Sequence, residues 1–248
     1  MGTGFLFQVQ DRLPDNELKH HCEAASEILR TADEVFSLYK PESEISKLVR
    51  NEIPWTAASR VQSSIREITS SWREKTGGYF DARDQENYDP SGLVKGWAAE
   101  NAAQYLEANG IVDFTLNAGG DIYLSSELSP TVLSKVGIAN LKPISSDEAG
   151  VSLVLELSGS GFRAVATSGI AERGEHVWRS ATQKRFQQVT VVARSLSAAD
   201  VWATALLSGG ANAWDIFVSN AEDCVGFGVY EDGSLIASAG FSSLLASR

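Results

Sequence analysis

The spacing of apolar residues predicts that the first third of the chain is mainly helical. Over residues 15–39, apolar side chains recur every three or four positions, which is the period of an amphipathic helix. Pro41 is expected to close that helix, and Ser43 can cap a short helical turn that follows it. A second helix is predicted over 58–76, where Gly77 and the next glycine end the apolar stripe.

After these helices the pattern changes to strands that alternate with helices. A long polar loop over 78–96 precedes a helix predicted over 97–109. A pair of glycines separates two further predicted helices, over 198–208 and 211–219. The predicted strands are 5–9, 112–117, 121–126, 132–138, 151–157, 162–167 and 187–194, with a closing hairpin about Asp232-Gly233.

The order of these elements indicates the fold class. Helices come first and a mixture of strands and helices follows, which favours an α+β or mixed α/β fold over regular βαβ alternation. With 248 residues, 43% of them hydrophobic and 21% charged, the chain can bury a sizeable core. No internal repeat or linker interrupts it, so we expect one domain over 1–248.

Charge and hydropathy exclude several classes of partner. A net charge of −11 is the wrong sign for binding a nucleic-acid backbone. No apolar run is long enough to predict a membrane span, and the first residues lack the pattern of a signal or lipoprotein leader, so we expect a cytoplasmic protein. Two cysteines, Cys22 and Cys224, predict free thiols rather than a disulfide framework.

The segment 198–210 places two oxygen-bearing side chains in an apolar background. Asp200 and Thr204 are four residues apart, so in a helix both lie on one face. One interpretation is structural, because Ser197 followed three residues later by Asp200 fits a capping box at a helix start. The other is a hard-cation site, because carboxylate and hydroxyl oxygens suit Mg²⁺. The segment alone leaves both open.

Three other segments carry candidate chemistry, each with a plainer alternative. The glycine turn in 116–121 could cradle a phosphate with backbone N–H groups or form an ordinary hairpin. The segment 89–96 could hold an anion where it enters a helix, with Lys95 adding charge, although it lacks the spacing of known phosphate loops. His176 is the best-placed candidate general base, and a loop histidine without a role is the alternative.

Seven short segments occur in a particular order along nearly the whole chain: 1–3, 36–39 with 43–48, 78–81, 89–98, 117–121, 166–169 with His176, and 200–204. Taken together, these segments resemble the FAD:protein FMN transferase family, also called ApbE. The resemblance implies an α+β, T-fold-like architecture of sheets with packed helices, which binds FAD along a groove.

The resemblance also implies a set of site residues. FAD would be contacted by Tyr39, the backbone of Tyr79, Phe80 and Asp81, and by Asp89, Lys95 and Val177. Mg²⁺ would be held by the backbone carbonyl of Gly92 with Asp200 and Thr204. Asp200 and His176 would be the catalytic residues, His176 as the base.

The implied reaction is Mg²⁺-dependent transfer of FMN from FAD to a threonine or serine hydroxyl of a client protein, with release of AMP. After His176 the family usually continues Ile-x-Asp/Asn-Pro, whereas this chain reads Val-Trp-Arg-Ser over 177–180. That departure leaves two alternatives, an FAD-binding module and an FAD hydrolase that forms FMN and AMP.

Overall fold

The molecule has helices packed on one face of a seven-stranded antiparallel sheet. The computed structural model describes residues 3–83, 88–125, 134–139, 151–170 and 184–246. Its helices are α1 (Asp15–Phe36), α2 (Glu44–Val49), α3 (Arg60–Lys75), α4 (Ser91–Ala108) and α5 (Leu196–Asn220). Its strands are β1 (Phe5–Val9), β2 (Phe114–Ala118), β3 (Asp121–Leu124), β4 (Lys135–Ala139), β5 (Val151–Glu156), β6 (Ala164–Gly169), β7 (Phe186–Ala193), β8 (Cys224–Tyr230) and β9 (Leu235–Ala237). The predicted α+β class is confirmed.

The large sheet has the strand order β1-β2-β3-β6-β7-β8-β9, and β4 and β5 form a separate two-stranded sheet. Side chains alternate between the two faces of the large sheet, as strand geometry requires. Ala166 and Val191 pack into the core formed with the helices, whereas Val165 and Val192 pack with Leu155 of β5. The large sheet is therefore the middle layer, with helices on one side and β4–β5 on the other.

The first helix is shorter than its apolar pattern predicts. α1 ends at Phe36, and Ser37 is already extended, so the predicted continuation toward Pro41 is wrong. The carbonyl of Ser37 instead accepts hydrogen bonds from the hydroxyls of Ser43 and Ser46, at 2.7 and 3.2 Å. Ser43 also caps α2, as predicted, by accepting the backbone N–H of Ser46.

α4 begins six residues earlier than predicted. The helix was expected from Trp97, but it starts at Ser91, whose backbone N–H donates to a carboxylate oxygen of Asp89 at 2.9 Å. Gly92 and Gly96 made this segment look like a loop, because glycine is unfavourable within an isolated helix. In the folded chain these glycines lie where another helix packs closely, so tertiary contact outweighs local propensity.

The two helices predicted on either side of the glycine pair at 209–210 are the two halves of α5. Gly210 has non-helical dihedrals, φ 56° and ψ −138°, which glycine adopts without steric cost. The backbone N–H that follows, on Ala211, donates to the carbonyl of Lys184 at 3.1 Å. The closing hairpin is also confirmed, since β8 and β9 pair on either side of Asp232.

Two further expectations concern membrane-spanning helices and the cysteine thiols. Among the helices of the described residues, none is both long and apolar enough to cross a membrane. Cys22 and Cys224 are both free thiols, as expected, and burial raises the pKa of Cys224 to about 11.

We expect Gly96→Ala to destabilise the protein by roughly 1–3 kcal/mol, because the added methyl group overpacks a close helix contact. A Cβ at this position would lie 2.9 Å from the carbonyl oxygen of Leu196. Urea unfolding followed by circular dichroism measures the change. Gly4→Ala is the matched control, because a Cβ there meets no atom within 4 Å. Equal stability of the two variants would contradict the close packing of α4 and α5.

Candidate active site

The candidate site lies where α4 and α5 pack together, with glycines of one helix facing polar residues of the other. A Cβ placed on Gly96 would lie 2.9 Å from the carbonyl oxygen of Leu196 and 3.2 Å from the Cβ of Asp200. One turn earlier in α4, a Cβ on Gly92 would lie 3.5 Å from Oγ1 of Thr204. Asp200 and Thr204 therefore share the face of α5 that meets α4, and Gly92 lies beside them.

A pair of buried carboxylates shares the ammonium group of Lys95. Its Nζ contacts Oδ2 of Asp121 directly and lies 3.7 Å from Oδ2 of Asp200. The side chains of Asp121 and Asp200 are 2% and 1% exposed, whereas that of Lys95 is 20% exposed. Aspartate is almost never buried this deeply unless it is paired, so the three groups form one electrostatic unit.

Asp121 reaches this unit from the large sheet. It is the first residue of β3, and its Oδ1 accepts the backbone N–H of Thr167 on the neighbouring strand β6 at 3.1 Å. The hydroxyl of Thr167 is in turn 2.9 Å from that of Thr190 on β7. The carboxylate is thus fixed by backbone geometry, and Lys95 connects the sheet to the two helices.

The pKa of Asp121 reflects this position. Burial is the largest cause that raises it, the negative charge of Asp200 adds to the rise, and Lys95 and the Thr167 N–H act in the opposite direction. The result is a pKa of about 6, compared with an ordinary value of 3.8. The surroundings of Asp121 therefore favour its protonated form more than water does.

The capping-box interpretation of Ser197 and Asp200 is wrong. The residue that caps α5 is Ser195, whose hydroxyl oxygen accepts the backbone N–H of Ala198 at 3.3 Å. Ser197 already lies within the helix, and its hydroxyl donates to Glu100 at 2.6 Å. Asp200 thus faces α4 for a reason other than helix capping.

Two backbone segments that could have held an anion use their N–H groups within the protein. In the glycine turn between β2 and β3, Gly119 N–H donates to the carbonyl of Gly4 at 3.0 Å, and Gly120 N–H donates to Oδ1 of Asn117 at 2.8 Å. The segment 116–121 therefore forms an ordinary hairpin turn, the alternative to a phosphate-binding turn. At the start of α4, the carboxylate of Asp89 accepts the first backbone N–H, as an anion would.

The predicted flavin contacts at 39 and 79–80 differ in accessibility. Tyr39 is 88% exposed, which leaves its ring accessible. The ring of Tyr79 packs against α5, where a Cβ on Gly209 would collide with it. Phe80 is buried beside the Gly92 contact, and its backbone N–H donates to Oγ1 of Thr76 at 3.1 Å. The segment 79–80 therefore adjoins both helices of the candidate site.

The remaining predicted residues are Asp81, which pairs with two arginines near the surface, and two residues without a described position. Asp81 accepts from Nε of Arg73 at 2.6 Å and from Nε of Arg83 at 3.3 Å. These contacts, with the backbone N–H of Arg83, keep the pKa of Asp81 below its usual value although burial acts in the opposite direction. His176 and Val177 lie outside the described residues, so the structure neither supports nor opposes their roles.

Asp200 and Thr204 bring a carboxylate and a hydroxyl group to the face of α5 that meets Gly92. Both groups are hard oxygen donors, the type that Mg²⁺ prefers. Within the described residues no group of three or more His, Cys, Asp or Glu side chains could hold a metal by itself. That finding is compatible with Mg²⁺, which usually takes one or two carboxylates and completes its shell with water and substrate phosphates.

Sequence reasoning missed Asp121 as a partner of Lys95 and Glu100 as a contact between α4 and α5. Asp121 belongs to the segment 117–121, whose glycines drew attention to the backbone rather than to the acid. The available signal was a carboxylate at the start of an apolar strand, where an acid is costly unless it has a partner. Glu100 had no comparable signal, because its partners lie almost a hundred residues later in the chain.

Comparison with known proteins places the chain in a family. A sequence model of the ApbE family matches residues 82–226, which is more than half of the chain and contains Lys95, Asp121, Asp200 and Thr204. The protein is therefore a member of the ApbE family. No curated protein matches the chain in a direct sequence comparison.

Solved structures share the fold over almost the whole chain. The flavin transferase ApbE from Vibrio cholerae is 21% identical, with a TM-score of 0.76 over 99% of this chain and 96% of that one. The apo flavinyl transferase ApbE from Pseudomonas stutzeri is 17% identical, with a TM-score of 0.73 over 99% and 98%. The ApbE protein from Thermotoga maritima is 17% identical, with a TM-score of 0.76 over 99% and 97%. The expected ApbE architecture is confirmed.

The raised pKa of Asp121 predicts a pH-dependent term in folding stability. Its pKa is about 6 when folded and near 3.8 when unfolded, so between these values the folded state binds more protons. The stabilising contribution is present below about pH 4 and is lost as the pH rises through 6. Asp121→Asn lacks this term, so its stability relative to wild type should rise by up to about 3 kcal/mol between pH 4 and 7.

Urea unfolding of both proteins in the presence of a chelator, at half-unit pH steps, measures this difference. Because carboxylates away from this site titrate in both proteins, the comparison isolates the carboxylate pair of Asp121 and Asp200, whose charges interact. A stability difference that does not change with pH would contradict the assignment of the raised pKa to this carboxylate.

Proposed function

We propose that the protein transfers FMN from FAD to a threonine or serine hydroxyl of a client protein, releases AMP, and requires Mg²⁺. The observation that carries the proposal is the meeting of Gly92, Asp200 and Thr204 at one helix contact, in a chain that belongs to the ApbE family. Two solved structures with the same fold are named flavin or flavinyl transferases, which supports the same reaction class.

The charges at the site suit a diphosphate only when a cation is added. With both carboxylates ionised, Lys95, Asp121 and Asp200 together carry one net negative charge, which repels an anionic substrate. Gly92, Asp200 and Thr204 would hold Mg²⁺ through oxygen atoms. When bound, the ion would make the local charge positive and neutralise the diphosphate oxygens while the bond between the two phosphates breaks.

The chain's own residues have separate tasks in this scheme. Lys95 keeps Asp121 and Asp200 in place, so that two buried carboxylates can coexist. Tyr39 offers an exposed aromatic face on which a ring of FAD can stack, and the segment 79–81 would line the groove beside α4. Asp89, Lys95 and Val177 would complete the FAD contacts.

The proposed transfer forms one bond to phosphorus and breaks another. The client hydroxyl oxygen attacks the phosphorus on the FMN side, and the bridging oxygen leaves with AMP. His176 takes the proton that the hydroxyl loses. FMN then remains joined to the client through a phosphoester.

Incubation with FAD, Mg²⁺ and a candidate client domain that carries an acceptor threonine tests the proposal. We expect a flavin-containing mass adduct on the client, one AMP per adduct, and neither product when a chelator is present. The client with that threonine changed to valine is the control.

Other outcomes identify the alternatives raised by the unusual sequence at 177–180. Free FMN and AMP without a client adduct would identify an FAD hydrolase. Intact FAD that remains bound through long incubation with Mg²⁺ would identify a binding module. Either result would overturn the transferase proposal.

Asp200→Asn separates the proposed metal ligand from a structural role. We expect metal-dependent turnover to fall by at least about 100-fold, because a carboxylate that positions the charge-neutralising ion is lost. The stability change should stay within about 1 kcal/mol, since Ser195 caps α5 and Lys95 keeps Asp121 as its partner in the variant. Turnover and urea unfolding, measured on the same preparation, give the two numbers.

Asp215→Asn is the matched control for that variant. Asp215 lies on the same helix but is exposed, so we expect both turnover and stability close to wild type. Turnover of Asp200→Asn equal to that of Asp215→Asn would show that Asp200 does not take part in the reaction.

A further inference from the structure

At the candidate site, α4 meets α5 through two glycines. Helices usually fix their relative position because side chains of one fit between side chains of the other. Here α4 presents Gly92 and Gly96, which have no side chain to insert into α5. Lys95 of α4 links the helices here through its ammonium group, which lies 3.7 Å from the carboxylate of Asp200. A hydrogen-bonded interaction between the helices constrains their register more strictly.

Glu100 makes that interaction one turn after Gly96. A single carboxylate oxygen, Oε2, accepts three hydrogen bonds from the first turn of α5. The donors are the hydroxyl of Ser195 at 2.9 Å, the backbone N–H of Ser197 at 3.2 Å and the hydroxyl of Ser197 at 2.6 Å. Charge-assisted bonds of this kind are stronger than neutral ones, and a carboxylate at a helix N-terminus is further favoured by the helix dipole.

The contacts along the two helices follow each other turn by turn. Gly92 lies opposite Thr204, Gly96 lies opposite Asp200, and Glu100 lies opposite the start of α5. Each step is four residues on both helices, in opposite directions, so the helices run antiparallel with one register. Any slide that breaks the bonds of Glu100 moves Asp200 and Thr204 relative to Gly92 by the same amount.

We propose that Glu100 is a positioning residue that fixes the register of α5 against α4 and so sets the spacing of the oxygens of Gly92, Asp200 and Thr204. The register itself is a property of the fold, and its consequence for a divalent cation rests on the proposed function. Glu100 contacts the first turn of α5, and it affects these three oxygens only through the position of that helix.

Glu100→Ala removes all three bonds, and Glu107→Ala is a matched control. Glu107 is another half-buried carboxylate on α4, two turns further on, and it pairs with Arg163 and Tyr123 instead of with α5. Glu100→Gln is the conservative variant, because an amide oxygen in place of Oε2 can still accept from the same donors.

Crystal structures of the two alanine variants test the register without any metal. We expect Asp200 to shift along Gly96 in Glu100→Ala, and to remain in place in Glu107→Ala even if that variant melts at a lower temperature. An unchanged contact between Gly96 and Asp200 in Glu100→Ala would overturn the proposal.

Titration with Mn²⁺, followed by electron paramagnetic resonance, tests the consequence for the cation. We expect the dissociation constant to rise about 10-fold or more in Glu100→Ala, the range found when groups that orient metal ligands are removed. It should stay close to wild type in Glu107→Ala, and Glu100→Gln should recover most of the affinity. Equal affinity in Glu100→Ala and Glu107→Ala would overturn the proposed link to the site.

Mn²⁺ binding by Asp200→Asn distinguishes a failure of the proposed metal site from a failure of the positioning role of Glu100. If wild type and Asp200→Asn bind Mn²⁺ equally, the proposed metal site is wrong, while the crystal structures still decide the role of Glu100. If Asp200→Asn loses Mn²⁺ but Glu100→Ala does not, the metal site holds and the positioning role fails.

Discussion

The close approach of α4 and α5 is the constraint on which the candidate site depends. Gly92 lies on α4, whereas Asp200 and Thr204 lie on α5, more than a hundred residues later in the chain, and direct helix contact brings these residues together. A larger residue at position 96 would collide with the carbonyl of Leu196 and force the helices apart. The glycines that weaken α4 as an isolated helix are thus required by its packing.

Burial of charge is the second constraint, and it follows from the first. Helices this close exclude water from the carboxylates of Asp121 and Asp200, and an isolated buried charge is very costly. Lys95 offsets that cost from α4, while the N–H of Thr167 supports Asp121 from the sheet. Because both carboxylates are paired with the same ammonium group, removing Lys95 would leave two buried negative charges without that partner rather than a neutral gap.

Features with a local cause could be predicted from the sequence. The apolar periods of α1 and α3, the cap of α2 at Ser43, the break at Gly210 and the β8–β9 hairpin all depend on neighbouring residues. The start of α4 was predicted too late. Its glycines indicated a loop, but they are present because another helix packs closely against them. The spacing of Asp200 and Thr204 revealed their shared face, but the family resemblance was needed to pair them with Gly92.

The partners of the site's charged groups could not be predicted in the same way. Whether Lys95 meets a substrate or a carboxylate depends on where β3 lies relative to α4, and no local pattern contains that information. The same holds for Glu100. No neighbouring residue in the sequence indicates a partner for it, and it contacts α5 only because that helix starts beside it. Long-range pairing of this kind requires the topology of the sheet, which sets where each strand and helix begins.

The net charge at the site also couples the binding of the two proposed ligands, FAD and the divalent cation, to each other. Without a cation, Lys95 and the two ionised carboxylates together carry one net negative charge, in a protein whose net charge is already −11. A diphosphate entering that site meets repulsion at short range and from the whole surface. A divalent cation reverses the local charge, so under the proposed function FAD binds more tightly when the cation is bound than when it is absent. Linkage requires the same factor in both directions, and FAD must then strengthen the binding of the cation equally.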